Sequence, residues 1–215
     1  MNYEIIASGS RGNAVLIEDC VMIDCGVPFK ALDEKWKKIR LVLLTHIHGD
    51  HFCKATIRNL GMLRPTLRFG CGRWLVPHVL MCGIAPENID VLEMDKRYDY
   101  GIAKIQPFHL THNVENCGYK MQFATGRCIY ATDMNNLNGI TAKDYDLYLV
   151  EGNYSEDEIE AEIEAKTREG VYAYERAARE NHFSRERCIK WLDKNATAKS
   201  ECVFMHVHEK KGDKR

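Results

Sequence analysis

The chain has 215 residues, of which 45% are hydrophobic and 28% are charged, and its formal net charge is −1. This length and composition are typical of a globular protein with a sizeable core, and we expect a single domain over residues 1–215. No apolar run approaches ~18 residues, so the sequence predicts no membrane span. The near-neutral charge argues against extensive non-specific coating of DNA.

The nine cysteines are scattered singly, without a Cys-x-x-Cys pair. An odd number of isolated cysteines is typical of reduced thiols and favours a cytoplasmic protein over a disulfide framework. The start of the chain, Met1–Glu4, lacks a basic region followed by a long apolar stretch, so we expect no signal peptide.

Short apolar runs bounded by turn residues predict the first strands of the chain. These runs cover residues 3–7, 14–18, 21–24 and 41–44, with a hairpin turn around Asp19–Cys20. Between the last two runs, Phe29, Leu32 and Trp36 are spaced at i, i+3 and i+7 behind Pro28, which predicts an amphipathic helix over 28–39.

Asp24 stands at the end of a predicted buried strand, directly before Cys25–Gly26. A carboxylate in that position is costly unless it is paired or hydrogen-bonded. It is interpreted either as a turn former or as a group that orients a neighbouring metal-binding loop.

Three histidines and an aspartate, His46, His48, Asp50 and His51, fall within six residues after the strand 41–44. Side chains alternate along an extended continuation, so His46 and His48 point the same way. Gly49 is expected to allow a sharp turn that brings Asp50 and His51 back to the same point. Imidazole and carboxylate together favour zinc, with manganese and iron as alternatives.

After this motif we expect helices over 52–60 and 72–82, and strands over 89–93, 102–108, 117–123 and 128–133. Arginines at positions 58, 64, 68 and 73 make one segment basic. That segment is either a solvated face or a phosphate-contacting patch beside the site. His78 is expected to be a surface or packing histidine.

Polar residues also follow several of the later strands. His109 and His112 come at the end of the strand 102–108, and Asp133 ends the strand 128–133. A strand over 146–153 ends with Glu151 and Asn153, and the last strand, 202–206, ends with His206, with His208 close behind it.

The segment between the last two strands is predicted to be helical. Ser155 and Glu158 form a capping box for a helix that reaches Arg168, and a second helix covers 171–180. Ser184 is placed at the N-cap of a third helix that ends near Asp193, and His182 lies just before it.

The stretch His46-x-His48-x-Asp50-His51 resembles the metal-binding signature of the metallo-β-lactamase superfamily. Other motifs of that family match in order at Asp24, at His112 ahead of Gly118–Tyr119, at Asp133 and at His206. The loop 8–13 and the segment 23–26 look like those of the small bacterial and phage exonuclease-like branch. That branch often has an aspartate where this chain has Asn113.

The resemblance implies an α/β (α+β) fold, the four-layer αβ/βα metallo-β-lactamase sandwich. It spans Asp24 to His206 and leaves no room for the large inserted domain of the RNA-processing and repair nucleases of the superfamily.

The resemblance also implies two divalent metal ions. One ion would be held by His46, His48 and His112, the other by Asp50, His51 and His206, and Asp133 would bridge both. Asp24, Glu151 and Asn153 would support these ligands. His182 belongs to a His-x-Ser element that recurs in the exonuclease-like branch, where it would be a proton donor or a supporting group.

Two divalent ions carry +4, and Asp50, Asp133 and a hydroxide between the ions remove 3, leaving +1, a charge that favours a phosphate oxygen. We therefore expect a metal-dependent hydrolase, a phosphodiesterase or nuclease that cleaves DNA or RNA with this hydroxide, with Asp50, Asp133 and His182 as catalytic residues. The expected partner is a nucleic acid or a nucleotide. A cyclic-nucleotide phosphodiesterase, a thioester hydrolase of the glyoxalase II kind and a non-catalytic, metal-braced binding module remain as alternatives.

Overall fold

A computed structural model describes residues 1–173 and 175–207, which form two six-stranded sheets. The first sheet contains β1 (Tyr3–Ala7), β2 (Ala14–Ile17), β3 (Val21–Ile23), β4 (Leu41–Leu44), β5 (Arg68–Cys71) and β6 (Ile89–Val91), in that order. The second contains β7 (Tyr98–Asp99), β8 (Lys104–Leu110), β9 (Asn116–Phe123), β10 (Gly126–Ala131), β11 (Leu147–Glu151) and β12 (Glu201–Met205). Strands β3 to β6 are parallel, as are β10 to β12, and the other pairs are antiparallel.

Five α-helices are described: α1 (Lys54–Leu63), α2 (Val76–Met81), α3 (Glu156–Arg168), α4 (Glu175–Asn181) and α5 (Arg185–Leu192). Three short 3-10 helices cover Phe29–Lys37, Arg73–Leu75 and Pro86–Asn88. Among the described helices, none has both the length and the apolar character needed to cross a bilayer.

Three apolar cores separate four layers. One core lies between the two sheets. Side chains of β4 alternate between two of the cores: Leu41 and Leu43 point into the core between the sheets, while Val42 and Leu44 face helices on the other side. The outer face of the second sheet packs against α5 through residues such as Cys188. Because β4 is covered on both faces, it is a continuous apolar run. The expected four-layer αβ/βα sandwich is confirmed.

The first predicted helix takes a different form in the structure. Phe29–Lys37 is a 3-10 helix that is interrupted at Asp33, whose φ is +46°. Leu32 is buried and Phe29 and Trp36 pack beside it, so the apolar spacing was read correctly, but the interruption prevents a continuous α-helix.

Two other local predictions are right only in part. Ser155 is the N-cap residue of α3, but its hydroxyl donates to Glu186 (3.0 Å) and caps no backbone nitrogen of the helix. Ser184 does cap α5, accepting a hydrogen bond from the Arg187 backbone nitrogen at 3.2 Å. The second helix begins at Glu175, after residues 171–173, which are not helical.

The basic segment does not form a patch beside the strand ends that carry the histidines. Arg68 opens β5 and is paired in register with Leu41, the first residue of β4, so it lies at the opposite edge of the sheet. Its guanidinium pairs with Asp90, and Arg64 donates to the backbone carbonyls of Trp36 and Lys37. The phosphate-contacting interpretation is therefore wrong for Arg64 and Arg68.

Gly26 fixes the position of the histidine-rich loop. A Cβ atom at this residue would lie 1.7 Å from the backbone oxygen of Asp50. The same Asp50 oxygen accepts a hydrogen bond from the Asn13 backbone nitrogen at 2.6 Å. The segment at Gly26 and the loop at Asp50 therefore approach too closely for a side chain at position 26. By contrast, a Cβ atom at Gly49 would have open space, and its φ lies outside the left-handed region. The sharp turn expected of Gly49 therefore does not require glycine.

We predict that Gly26→Ala destabilises the protein by about 2 kcal/mol or more, because the new methyl group must displace backbone atoms in a packed loop. Urea unfolding of the two proteins measures this loss. Gly49→Ala is the matched control and should stay within about 0.5 kcal/mol of the wild type. Equal effects of the two substitutions would contradict the role given to Gly26.

Candidate metal centre

The carboxyl ends of parallel strands from both sheets meet at one edge of the sandwich. β3 ends before Asp24, β4 leads into the histidine-rich loop, and β10 leads into Asp133. Glu151 ends β11, and His206 follows β12. Binding sites of sheets with parallel strands form at such carboxyl ends. These polar residues, all predicted at strand ends, thus come together in one place.

Three imidazoles form the first cluster. The Nε2 atom of His46 lies 3.2 Å from Nδ1 of His48, and Nε2 of His112 lies 3.3 Å from the same Nδ1 atom. The other nitrogen of His112 is 3.3 Å from the Asn181 carbonyl oxygen, to which it can donate. When Nδ1 donates in this way, Nε2 of His112 carries no proton and its lone pair faces the cluster. Histidine binds a metal ion in this form.

The second cluster combines Asp50, His51 and His206. Asp50 Oδ2 lies 3.4 Å from His206 Nε2 and 3.6 Å from His51 Nε2. Asp133 lies between the two clusters: its Oδ2 is 2.9 Å from His51 Nε2, and its Oδ1 is 3.6 Å from His206 Nε2 and 3.9 Å from His112 Nε2. Asp133 is therefore the carboxylate within reach of both clusters.

A buried network behind the clusters orients two of the rings. Asp24 accepts hydrogen bonds from the backbone nitrogen (2.9 Å) and hydroxyl group (2.9 Å) of Thr45, and lies 2.6 Å from Nδ1 of His51. The Thr45 hydroxyl is also 2.9 Å from Nδ1 of His46. Since this hydroxyl donates its proton to Asp24, it accepts from Nδ1 of His46, which leaves Nε2 of that ring free of a proton.

Asn13 is a site residue that the sequence interpretation missed. It is fully buried, and its amide nitrogen lies 2.8 Å from His51 Nε2 and 3.2 Å from Asp50 Oδ2. In the sequence, the Ser8–Asn13 loop is marked only by its resemblance to the corresponding loop of the exonuclease-like branch. A buried asparagine in a glycine-rich loop gives no local signal of the distant residues that it contacts.

His182 and Glu151 form a dyad at the edge of the clusters. His182 Nδ1 lies 2.7 Å from Glu151 Oε1, and Glu151 Oε2 accepts from the backbone nitrogens of Met134 (3.0 Å) and Phe183 (3.3 Å). The His182 ring stacks on that of His206 with centroids 5.0 Å apart. The buried glutamate therefore fixes the orientation of His182.

Asn153 supports His206 from the other side. Its amide nitrogen donates to the His206 carbonyl oxygen at 2.6 Å and lies 3.0 Å from Nδ1 of the ring. The backbone nitrogen of His206 donates to the Ser8 hydroxyl at 2.8 Å, which links the last strand to the first loop.

Three of the strand-end residues share an unusual backbone conformation. Asp24, Asp133 and His206 have φ values of +58°, +58° and +50°. Non-glycine residues in the left-handed region cost roughly 1–2 kcal/mol each and are held there by surrounding contacts. The hydrogen bonds and close contacts of the site hold these three residues in that conformation.

The protonation equilibria of the clusters follow from burial and neighbouring charge. Burial, helped by His51, lowers the pKa of His46 to about 2, and burial also lowers the pKa of His112. Burial opposes a charge on His206, but Asp133, Asp50 and Glu151 outweigh it and raise the pKa to about 10. Burial likewise opposes the charge of Asp133, but His51 and His206 hold its pKa well below its usual range.

Other histidines lie apart from the clusters. His109 is largely exposed and contacts the Leu110 carbonyl oxygen (2.8 Å) and Glu115 (3.9 Å). His78 packs against the Phe52 ring. His208, the weaker candidate at the last strand, lies outside the described residues.

A family model described as a β-lactamase superfamily domain matches residues 20–207. The chain belongs to the metallo-β-lactamase superfamily. No curated protein sequence matches it. Known structures with this fold include the metallo-β-lactamase fold protein YhfI from Bacillus subtilis, which is 16% identical with a TM-score of 0.73 over 97% of this chain and 87% of that one.

Two further structures share the superfamily fold. Human tRNase Z, short form, is 13% identical with a TM-score of 0.70, covering 97% of this chain and 93% of its own. A diphosphatase from the PhnP family is 16% identical with a TM-score of 0.66, covering 96% of this chain and 85% of its own. At identities this low, the structural similarity establishes a common fold and nothing more.

The two clusters have the donor chemistry of divalent metal sites. The ligand atoms of His46, His48 and His112 all lie within 4.8 Å of one another, as do those of Asp50, His51 and His206. Asp133 Oδ2 is buried and has no hydrogen-bond partner among the described residues, although Nε2 of His51 lies 2.9 Å away. A buried carboxylate oxygen without a hydrogen bond and converging imidazole lone pairs fit cations such as zinc, manganese or iron.

A cavity of about 300 Å³ opens above the clusters. His48, Asp50, Asp133 and His206 form its floor, and Ser10, Asn113 and Asn181 stand around its rim. Asn113 therefore borders the site, but it brings an amide where the exonuclease-like branch often has a carboxylate. Helix α4 contributes Ala177 and Ala178 to one wall.

We predict that Asp24→Asn lowers affinity for divalent metal by about 10–100-fold, the usual cost of losing a group that orients a metal-binding histidine. An amide cannot accept from Thr45 and His51 with both of its atoms. Competition with a chromogenic chelator measures the affinity. Asp95→Asn is the control, because Asp95 has a similar φ of +64° in an exposed turn. Unchanged affinity in Asp24→Asn would contradict the orienting role.

Proposed function

We propose that this protein is a metal-dependent phosphodiesterase that cleaves nucleic acid, a nuclease of the metallo-β-lactamase superfamily. The observation that carries the proposal is the pair of histidine and aspartate clusters with Asp133 between them, directly below an open cavity. We propose His46, His48 and His112 as ligands of one ion, Asp50, His51 and His206 as ligands of the other, and Asp133 as the shared ligand. Zinc is the expected metal, with manganese and iron as alternatives.

The net charge of the loaded centre favours an anionic substrate. Two divalent ions contribute +4 against −2 from Asp50 and Asp133. When bound, such ions would polarise a phosphoryl group, which makes its phosphorus more electrophilic, and would make water acidic enough to supply a nucleophile near neutral pH. The neutral imidazoles of His46 and His112 add no negative charge, so the floor of the cavity attracts phosphate.

The chain's own residues account for positioning and proton transfer. Asp50 and Asp133 line the cavity, and the buried Asn13 contacts Asp50 from behind. His182 also lines the cavity, with its Nδ1 on Glu151. Its Nε2 atom is left for the substrate, so protonated His182 can donate to the leaving alkoxide oxygen. Glu151 keeps the ring in one orientation.

The structural relatives agree with phosphate chemistry, although they share only the fold. One is named a tRNase and another a diphosphatase. The first favours a nucleic-acid substrate, and the second keeps small phosphate compounds among the alternatives. The cytoplasmic location expected from the nine cysteines remains a prediction.

A substrate panel with purified protein and added Mn²⁺ or Zn²⁺ tests the proposal. The panel contains linear and nicked DNA, RNA, cyclic mononucleotides and a thioester. We expect metal-dependent cleavage of DNA or RNA that a chelator abolishes. Cleavage confined to cyclic nucleotides or to the thioester would replace the proposal with one of those activities. No activity on any substrate in metal-loaded protein would favour the non-catalytic binding module.

We predict that His182→Ala lowers turnover of a nucleotide diester by ~10²–10⁴-fold, the usual contribution of a general acid. The loss should be much smaller with bis-p-nitrophenyl phosphate, because p-nitrophenolate leaves without needing a proton. Metal content should be unchanged, and His109→Ala, an exposed histidine outside the clusters, is the control. Equal losses on the two substrates would instead give His182 a role in positioning the substrate.

A further inference from the structure

A second cavity, of about 230 Å³, forms a groove between α5 and the loop that follows Asp133. Three cationic side chains line its α5 side: Arg187, Lys190 and Lys194. Arg187 and Lys190 are on α5 at i and i+3, so they lie on the same face, and Lys194 follows just after the end of the helix. All three are exposed, and the groove is lined by no carboxylate among the described residues.

These three cations are not neutralised within the described chain. None of them forms an ion pair there, whereas cations elsewhere do, such as Lys35 with Glu4 (3.3 Å) and Arg168 with Glu164 (3.1 Å). A row of uncompensated charges in a concave surface attracts a polyanion and concentrates its field.

The groove also has fixed aromatic walls. Trp191 donates from its indole nitrogen to the Ile140 carbonyl oxygen at 2.9 Å and packs edge-on against Tyr148. The Arg187 guanidinium lies over the Phe183 ring, 5.0 Å from its centre. Cations beside preorganised aromatic rings are the combination with which proteins bind single-stranded nucleic acid.

The groove adjoins the metal centre. Phe183, in its wall, follows His182, and Asn136, on the opposite wall, lies three residues after Asp133. The backbone nitrogens of Phe183 and Met134 both donate to Glu151, so one carboxylate holds the two walls together at this end. A strand whose phosphate lies over the clusters can therefore continue into the groove.

We propose that this groove binds the single-stranded nucleic-acid segment next to the cleaved phosphate. Arg187, Lys190 and Lys194 contact its phosphates, and Trp191 and Phe183 provide an apolar wall for sugars or bases. This inference rests on the proposed function, because it names the substrate class of the same site and adds the residues that would select a strand over a small diester.

The test is the triple variant Arg187→Gln, Lys190→Gln, Lys194→Gln. Fluorescence anisotropy measures its affinity for a labelled single-stranded oligonucleotide at several salt concentrations. Each lost phosphate contact removes about 0.7 from the slope of log K against log salt, so three contacts predict a slope smaller by about 2. KM for the oligonucleotide should rise, while hydrolysis of bis-p-nitrophenyl phosphate, which is too short to reach the groove, should not change.

Two control variants show whether the effect belongs to the groove. Lys30→Gln, Lys38→Gln, Lys104→Gln removes three exposed lysines outside it and should bind like the wild type. The variant Arg187→Lys, Lys190→Arg, Lys194→Arg keeps the charges and should retain the salt slope, which also controls for folding.

An unchanged slope and affinity in the glutamine variant would overturn the groove proposal, as would an equal loss in the remote control. Displacement of the oligonucleotide by polyglutamate of equal charge would also overturn it, since the groove would then bind acidic chains in general. Oligonucleotide cleavage that does not depend on the groove refutes only this inference. Groove-dependent binding without cleavage of any nucleic acid refutes only the proposed function.

Discussion

The carboxylate of Asp133 is the group on which the whole centre depends. It is almost fully buried, it follows β10 of the second sheet, and its nearest partner is His51, in the loop after β4 of the first sheet, 2.9 Å away. A carboxylate this deeply buried is stable only with cations or hydrogen-bond donors around it. His51, His206 and His112 surround it, so the positions of both sheets are linked through one side chain.

That arrangement requires the two sheets to be held in fixed register near the site. Leu44 is the last residue of β4 before the histidine-rich loop. Its carbonyl oxygen accepts a hydrogen bond from the hydroxyl of Tyr119, on β9, at 2.6 Å. On the other side of that loop, Gly26 and Asn13 contact Asp50. The loop is thus attached to the second sheet and to the first loop of the chain, and these contacts fix the positions of its histidines. Preorganised ligands of this kind favour a tightly held centre.

Much of this could be predicted from the sequence, and the reasons can be traced to particular residues. The ligand positions were visible because each follows a short apolar strand: His46 after 41–44, Asp133 after β10, and His206 after β12. Chain order against a known family then distinguished His112 from His109. The fold was implied by the resemblance to that family, which rests on the same motifs. Their roles as ligands still await measurement.

Contacts between distant residues were beyond the reach of the sequence. Asn13 meets His51 across 38 positions, and Glu151 meets His182 across 31, and no local pattern encodes either distance. The basic groove was also missed, because Arg187, Lys190 and Lys194 resemble an ordinary solvated helix face until the facing loop is placed. The same limitation applies to Ser155, which is at the predicted N-cap position but whose hydroxyl bonds to Glu186, on another helix, instead of capping α3.

Elemental analysis of the wild type and of Asp133→Ala, purified without chelator and then dialysed, tests the central claim most directly. The shared position of Asp133 predicts about two equivalents of divalent metal per chain in the wild type. It predicts a clear loss of metal in the variant, with the circular dichroism spectrum largely retained. A wild type that binds no metal even after loading, or a variant that holds two equivalents as tightly as the wild type, would contradict the account of a dinuclear centre built around this carboxylate.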